Sequence, residues 1–161
     1  QAQLDRFLFK IIINYPKIED EEIILNTNVS LRKFEEYKLK SIINPKEIII
    51  LQKMNQEIFV SKDLGKYIVR IVDATRYPDK YKLKLGKYIE WGASPRASIG
   101  LFISAKADAL MNGSTYITPQ NVKNVIKDVL RHRIILNYQG QAENIDSDVI
   151  IDEVLKKVSL P

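Results

Sequence analysis

The residues of this sequence best suited to chemistry form one short segment, Gly92–Gly100, with the sequence GASPRASIG. Ser94 is suited to cap the N-terminus of a helix, and Pro95 is suited to its first position. Arg96 then falls in the first turn, where the helix dipole is positive and a cation is unfavourable. An arginine beside free backbone N–H groups becomes favourable if an anion binds between them. The segment therefore predicts half of a phosphate-binding site.

The sequence contains no complete set of catalytic residues around this segment. It has no phosphate loop of the form G-x-x-x-x-G-K-[ST] and no strand that ends in paired carboxylates for magnesium. With one histidine and no cysteine, no Ser-His-Asp or Cys-His catalytic set is recognisable. We therefore predict that this chain alone catalyses nothing and holds no metal.

Several of these residues allow two interpretations. Arg96 either contacts a nucleotide phosphate or pairs with an internal carboxylate, and its local sequence does not decide between them. Arg6 either lies on the surface or contacts a phosphate bound to another molecule. His132 lies in Arg131–Arg133, at the end of a predicted helix where the dipole favours cations, so a structural role is predicted for it. Trp91 is predicted to be buried in the core.

The composition bounds the class of protein. The chain has 161 residues, of which 45% are hydrophobic and 28% charged, as in a soluble globular domain. No apolar run approaches the ~18 residues of a membrane span. No signal peptide is recognisable, and cysteine is absent, so a cytoplasmic location is expected.

The net charge of +5 is unevenly distributed. Residues 61–133 carry 14 Lys and Arg against 6 Asp and Glu, whereas residues 134–161 carry 2 against 5. A basic middle segment is suited to nucleotide phosphates, nucleic acid or an acidic protein surface. A solvated surface is the preferred interpretation of the charge taken alone.

Helical periodicity dominates the sequence after residue 44. We predict a bundle of about four to six helices, preceded by one strand over Leu8–Ile13. A short helix is predicted over Glu19–Leu25, and residues 26–43 are assigned to an irregular connector. The later helices are predicted to begin at Asn44-Pro45, Ser61, Ser94-Pro95, Thr118-Pro119 and Asp146 or Ser147.

Four segments, in order along the chain, resemble the MoxR-type AAA+ ATPases. QAQLDRF, over residues 1–7, resembles the end of the ATPase core, and GASPRA, over residues 92–97, is similar to the sensor-2 motif of that family. YITPQNV over residues 116–122 and DVLRHRIIL over residues 128–136 resemble its C-terminal segments. Residues 26–43 match the family least.

The resemblance implies that residues 17–161 form the helical lid of such an ATPase and that residues 1–16 end its α/β core. Arg6 would then be the arginine finger, supplied to the ATP of a neighbouring subunit. Arg96 would be the sensor-2 arginine, with Ser94 and Pro95 in the same nucleotide-binding motif. ATP and Mg²⁺ would bind in the full-length protein and not in this fragment alone.

The resemblance also implies partners. The lid would contact its own ATPase core and neighbouring subunits in a hexameric ring, and the parent would remodel or mature other proteins, in some cases with a von Willebrand A-domain partner. The client protein, the ring size and whether Arg96 acts on its own subunit's nucleotide stay open at this point.

Two alternatives to a nucleotide-responsive lid remain. A basic helical module that binds nucleic acid is compatible with the charge of residues 61–133, although the basic residues are dispersed and no recognition helix is apparent. A protein-interaction bundle without a nucleotide role is the other. No membrane contact is expected in any of the three cases.

Overall fold

Helices in this protein begin at the capping residues that the sequence predicts. A computed structural model describes residues 3–28 and 34–161. Asn44 accepts hydrogen bonds from the N–H groups of Lys46 and Glu47, both at 3.0 Å, and the Glu47 carboxylate accepts from the N–H of Asn44 at 2.7 Å. Ser61 and Ser94 each accept a backbone N–H in the same way. These bonds satisfy N–H groups that would otherwise have no partner at the helix start.

The described residues are mainly helical, which confirms the predicted fold class. The elements are α1 (Ile18–Asn28), α2 (Pro45–Glu57), α3 (Lys62–Arg76), β1 (Ile89–Trp91), α4 (Pro95–Met111), α5 (Pro119–Leu130), β2 (Ile135–Leu136), α6 (Tyr138–Ala142) and α7 (Ser147–Lys157), with short 3₁₀ helices at Phe34–Tyr37, Pro78–Tyr81 and Leu85–Tyr88. Strands β1 and β2 pair antiparallel, with Ile89 opposite Leu136. Among the described residues, none of these helices has both the length and the apolarity needed to cross a bilayer.

The strand predicted over Leu8–Ile13 is not formed, which corrects that part of the prediction. A strand requires a hydrogen-bonded neighbouring strand, and this segment bonds through its backbone to the end of a helix instead. The N–H of Lys10 donates to the carbonyl of Asp128 in α5 at 2.9 Å. The connector predicted over residues 26–43 lies partly outside the described residues, and its described part contains one 3₁₀ turn at Phe34–Tyr37.

The chain divides into two compact units, Gln1–Lys10 with Gln52–Pro161 and, separately, Ile11–Leu51. The first unit contains a continuous hydrophobic core built mainly from α3, α4, α5 and α7. In the second unit, every described side chain is exposed. The largest fully buried side chains of the core in the first unit are Tyr67, Ile68, Ile71, Leu101, Ile126, Leu130, Ile150 and Ile151. The domain boundary expected after residue 16 stays a prediction.

Helix α4 packs against α5 through small residues. Ala97, Ala105 and Ala109 are completely buried on α4, and a Cβ added at Gly100 would lie only 3.2 Å from a methyl group of Val129. The backbones of the two helices can approach closely because these side chains are short.

The prediction about the burial of Trp91 was wrong. Trp91 was expected in the core, but 65% of its surface is exposed. On α4, the apolar residues Ile99 and Ile103 are likewise 60% and 44% exposed. Apolar character alone does not tell which face of a helix is packed, since neighbouring elements decide which face they cover.

Candidate functional site

The segment with the GASPR sequence is held in place by the C-terminal end of α3. A Cβ added at Gly92 would lie 2.4 Å from the carbonyl oxygen of Thr75, so only glycine allows this approach. The buried Thr75 hydroxyl accepts the N–H of Ala93 at 2.9 Å. Arg76 donates from Nε to the carbonyl of Ala93 at 2.7 Å. These contacts fix the backbone immediately before α4.

The N-terminus of α4 is formed as the sequence predicts. Ser94 is the N-cap, and its Oγ accepts the N–H of Arg96 at 3.2 Å. Pro95 occupies the first helical position. A backbone N–H at this position has no partner within the helix, and proline has no N–H. The Arg96 side chain is 64% exposed. Arg96 forms an ion pair with Asp5, with 3.5 Å between Nη1 of Arg96 and Oδ2 of Asp5.

Asp5 lies against the α4 cap and connects it to the N-terminal segment. Its two carboxylate oxygens accept from the Ser94 hydroxyl at 3.0 and 2.9 Å. Its Oδ1 also accepts from Nε of Arg133 at 3.2 Å. A carboxylate is favourable here because the N-terminal end of a helix carries partial positive charge.

Arg133 is the most deeply buried charged group of the site, with its side chain only 3% exposed. Its guanidinium also donates to the backbone carbonyls of Asp5, Phe7, Leu8 and Val129. Burial lowers the pKa of Arg133, and the Asp5 carboxylate opposes that shift. The side chain therefore holds the chain over residues 5–8 against the end of α5.

Arg131 and His132 extend this attachment. Arg131 donates to the Lys10 carbonyl at 2.6 Å and makes two bonds to the Asp148 carboxylate, at 3.0 and 2.9 Å. The hydrogen bonds to Asp148 raise the pKa of Arg131. His132 Nε2 lies 3.0 Å from the Phe7 carbonyl oxygen, so this nitrogen carries the proton and donates. We call Arg131, His132 and Arg133 the clamp.

The arrangement brings the two candidate arginines together. Arg6 and Arg96 line one shallow cavity of about 180 Å³, together with Asp5 and Arg133. Its remaining wall is apolar and consists of Leu8, Ile99, Gly100 and Ile103. The cavity presents three guanidinium groups and one carboxylate, which is suited to an anion. The described residues contain no group of three or more His, Asp or Glu side chains that could hold a metal ion.

Of the four residues predicted for the site, Ser94 and Pro95 form the start of α4 as expected, and Arg6 and Arg96 line the same cavity. Their roles toward a nucleotide stay predictions. Asp5 and Arg133 were not selected as site residues. The signal was available in part, because an arginine flanking a helix end beside a histidine suggests a cluster of donors. The acceptors of Arg133 in residues 5–8 lie more than 120 residues away in the sequence and could not be predicted.

Part of the positive charge in the basic middle of the chain is used in internal ion pairs. Lys80 bonds to Asp73 at 2.8 Å, and Lys127 to Asp152 at 2.9 Å. The bonded Lys80 lowers the pKa of Asp73. Together with the clamp arginines, these pairs place part of the charge in separate contacts, so the net charge overstates the basic surface that is available to nucleic acid.

Comparison with known proteins identifies similar chains. Residues 85–154 match the family model described as the AAA lid domain. The chain is 40% identical to the chaperone MoxR1 of Mycobacterium tuberculosis, over all of this chain and 42% of that protein. It is 32% identical to the uncharacterized protein YeaC of Bacillus subtilis, over all of this chain and 47% of that protein.

A solved structure has the same fold. It comes from Cytophaga hutchinsonii and is provisionally described as an ATPase. Its chain is 37% identical to this one, with a TM-score of 0.90 over 99% of this chain and 48% of that chain. The present chain thus spans less than half the length of each of these relatives.

Arg133→Met tests the clamp. The substitution removes a buried guanidinium and leaves Asp5 without that partner, so we expect the free energy of unfolding to fall by about 3 kcal/mol. Arg96→Met is the matched control, because it removes an exposed partner of the same carboxylate and should cost about 0–1 kcal/mol. Urea unfolding of the two variants measures both, and equal losses would contradict the assigned role of Arg133.

His132 should make stability depend on pH. Burial lowers its pKa, and the nearby charges of Arg133 and Lys10 act in the same direction, against Asp5 and the Phe7 carbonyl. The unfolded chain therefore binds a proton first as the pH falls through about 6.5, and stability decreases below that value.

Urea unfolding at pH 7.5 and 5.5 measures this dependence. His132→Gln keeps a donor for the Phe7 carbonyl but does not titrate, so the loss of stability between the two pH values should be smaller in the variant. An unchanged loss would mean that His132 does not contribute.

Proposed function

Because this chain belongs to the MoxR-type AAA+ ATPases and forms their helical lid, we propose that Arg96 and Arg6 bind the phosphates of the nucleotide that the full-length protein hydrolyses. The observation that carries this proposal is the shared cavity at the N-terminus of α4. Arg96 acts as the sensor-2 arginine and Arg6 as the arginine finger. Ser94 and Pro95 provide the helix start at which the phosphate is received.

The residues present at the cavity fit a phosphate group. The Arg96 guanidinium is mostly exposed, and its ion pair with Asp5 is long, at 3.5 Å. Arg6 is exposed as well, with its guanidinium carbon 5.4 Å from the centre of the Phe7 ring. Arg133 is already used by backbone carbonyls, so Arg6 and Arg96 are the groups that can turn toward a ligand. ATP binds with Mg²⁺ in this class, and the ligands of the metal are proposed to lie in the ATPase core.

Both arginines are proposed to contact the same nucleotide. The clamp ties the segment that carries Arg6 to the end of α5, and α5 packs against the helix that carries Arg96. The two side chains therefore move as parts of one unit. If the finger reaches the ATP of the neighbouring subunit, Arg96 reaches that same ATP, and the lid acts in trans.

A guanidinium at this position stabilises the charge that develops on the transferred phosphoryl group. It needs no proton transfer, since arginine stays protonated. Release of the γ-phosphate removes the contact, so the position of the lid depends on the state of the nucleotide.

In the full-length protein we propose that this motion remodels or matures partner proteins within an oligomeric ring located in the cytoplasm. The relative named as a chaperone supports a remodelling activity. The exposed apolar side chains of residues 11–51 support packing against the ATPase core, because exposed apolar patches mark protein interfaces. A von Willebrand A-domain partner and the ring of six subunits rest on the family resemblance. ATP-dependent prevention of client aggregation is the measurement that checks remodelling.

Arg96→Ala and Arg6→Ala should each slow steady-state ATP hydrolysis by the full-length protein. We expect a decrease in kcat of about tenfold to a thousandfold, because each variant loses one contact to the developing phosphate charge. Lys66→Ala is the matched control: its side chain is 68% exposed and pairs with Asp63 on α3, away from the cavity. Unchanged turnover in Arg96→Ala would contradict the nucleotide role and favour an interaction bundle.

Mixing the Arg6→Ala and Arg96→Ala variants tests whether both arginines contact the same nucleotide or whether Arg96 contacts the nucleotide of its own subunit. If both arginines act in trans, every site in a mixed Arg6→Ala and Arg96→Ala ring lacks one arginine, and activity stays low. If Arg96 acts on its own subunit's nucleotide, a subunit carrying Arg6→Ala next to one carrying Arg96→Ala forms a complete site, and activity recovers. Mixing each variant with wild type confirms that subunits exchange. Recovery in the mixed ring would overturn the trans assignment.

A further inference from the structure

Asp5 occupies the position between the two arginines of the proposed site. It directly precedes Arg6 in the sequence, and its carboxylate forms an ion pair with Arg96. Its side chain is 24% exposed, so it lies at the border between the packed interior and the cavity. Neither the motifs nor the comparisons assign it a role.

The two oxygens of Asp5 have different surroundings. Oδ1 accepts from Nε of Arg133, a guanidinium that is held rigidly by backbone carbonyls. Oδ2 faces Nη1 of Arg96 at 3.5 Å, and the Ser94 hydroxyl bonds to both oxygens. The carboxylate is thus fixed on its buried side and holds Arg96 weakly on its exposed side.

The Ser94 hydroxyl strengthens this arrangement. It has a single proton, which it donates to Asp5, while its oxygen accepts the N–H of Arg96. Asp5 therefore orients Ser94, the N-cap of α4, and restrains the guanidinium of Arg96. An exposed ion pair of this kind contributes little free energy, so a phosphate with a higher charge can displace the carboxylate from Arg96.

We propose that Asp5 is a positioning residue that holds Arg96 toward the cavity before nucleotide arrives and yields it to the incoming phosphate. This inference rests on the proposed function of Arg96. The carboxylate reduces the number of conformations that the long Arg96 side chain samples, so less conformational entropy is lost when the phosphate contact forms. It also keeps Arg96 in a fixed position relative to Arg6, because Arg6 and Asp5, the ion-pair partner of Arg96, both belong to residues 5–8.

A double-mutant cycle in the full-length ATPase tests the proposal. Asp5→Asn keeps the size of the side chain and an oxygen that accepts from Ser94, but it loses the charge that restrains Arg96. We expect kcat for ATP hydrolysis to fall by about tenfold in the wild-type background and by less than about twofold in the Arg96→Ala background. Asp5→Glu, which restores the charge, should recover part of the loss.

Asp73→Asn is the matched control. Asp73 has the same exposed fraction as Asp5, 24%, and pairs with a lysine that is 66% exposed, but it lies on α3 and contacts neither arginine of the cavity. We expect its substitution to leave kcat unchanged. A decrease equal to that of Asp5→Asn would mean that the loss of any such ion pair impairs the lid, which would overturn the proposal.

The outcomes separate this inference from the proposed function. Equal losses for Asp5→Asn in both backgrounds would show a structural role that does not act through Arg96, and would overturn the inference while leaving the nucleotide role of Arg96 intact. No loss for Asp5→Asn, with a large loss for Arg96→Ala, would overturn it in the same way. No loss for Arg96→Ala would contradict the proposed function itself, and the inference with it.

Discussion

The buried guanidinium of Arg133 is the interaction on which the candidate site depends. A charge with 3% exposure is unfavourable unless its donors are satisfied, and here four backbone carbonyls and one carboxylate satisfy them. Those acceptors belong largely to residues 5–8, which form neither helix nor strand. An irregular segment of this kind has few hydrogen bonds of its own, so the side chain supplies what a sheet partner would supply elsewhere.

The other side of the site is fixed by close backbone contact. Gly92 lies against the carbonyl of Thr75, and Ala93 is bonded on both its N–H and its carbonyl. The start of α4 is therefore held rigidly, whereas the Arg96 side chain that leaves it is mostly exposed. A rigid backbone with an exposed, weakly paired guanidinium is the combination that a reversible phosphate contact requires, since the helix start is organised in advance and only one side chain has to adjust.

Charge in this chain has two uses that composition cannot distinguish. Lys80 and Lys127 pair with carboxylates at the surface, and Arg131 of the clamp pairs with Asp148. Arg6 and Arg96 line a shared cavity, where Arg96 has only a long ion pair with Asp5. The net charge of the middle segment is the sum of both kinds, so it is a poor guide to binding, and the position of each cation relative to its nearest carboxylate is the informative quantity.

The helices and their starting points are determined by the sequence, because capping side chains and apolar spacing act within a few residues of each other. Asn44, Ser61, Ser94 and Thr118 all begin helices as predicted. The same local information predicted that Ser94, Pro95 and Arg96 form half of a phosphate site, and that role stays a prediction.

Only the tertiary structure decided which side of each element is covered and which distant groups meet. The exposure of Trp91 and Ile99, the missing strand over residues 8–13, and the contact of Asp5 with Arg133 all depend on chain segments far apart in sequence. Burial and hydrogen bonding across more than 120 residues are set by how helices pack. A local sequence pattern indicates how far a side chain can extend, but it does not indicate which distant group that side chain contacts.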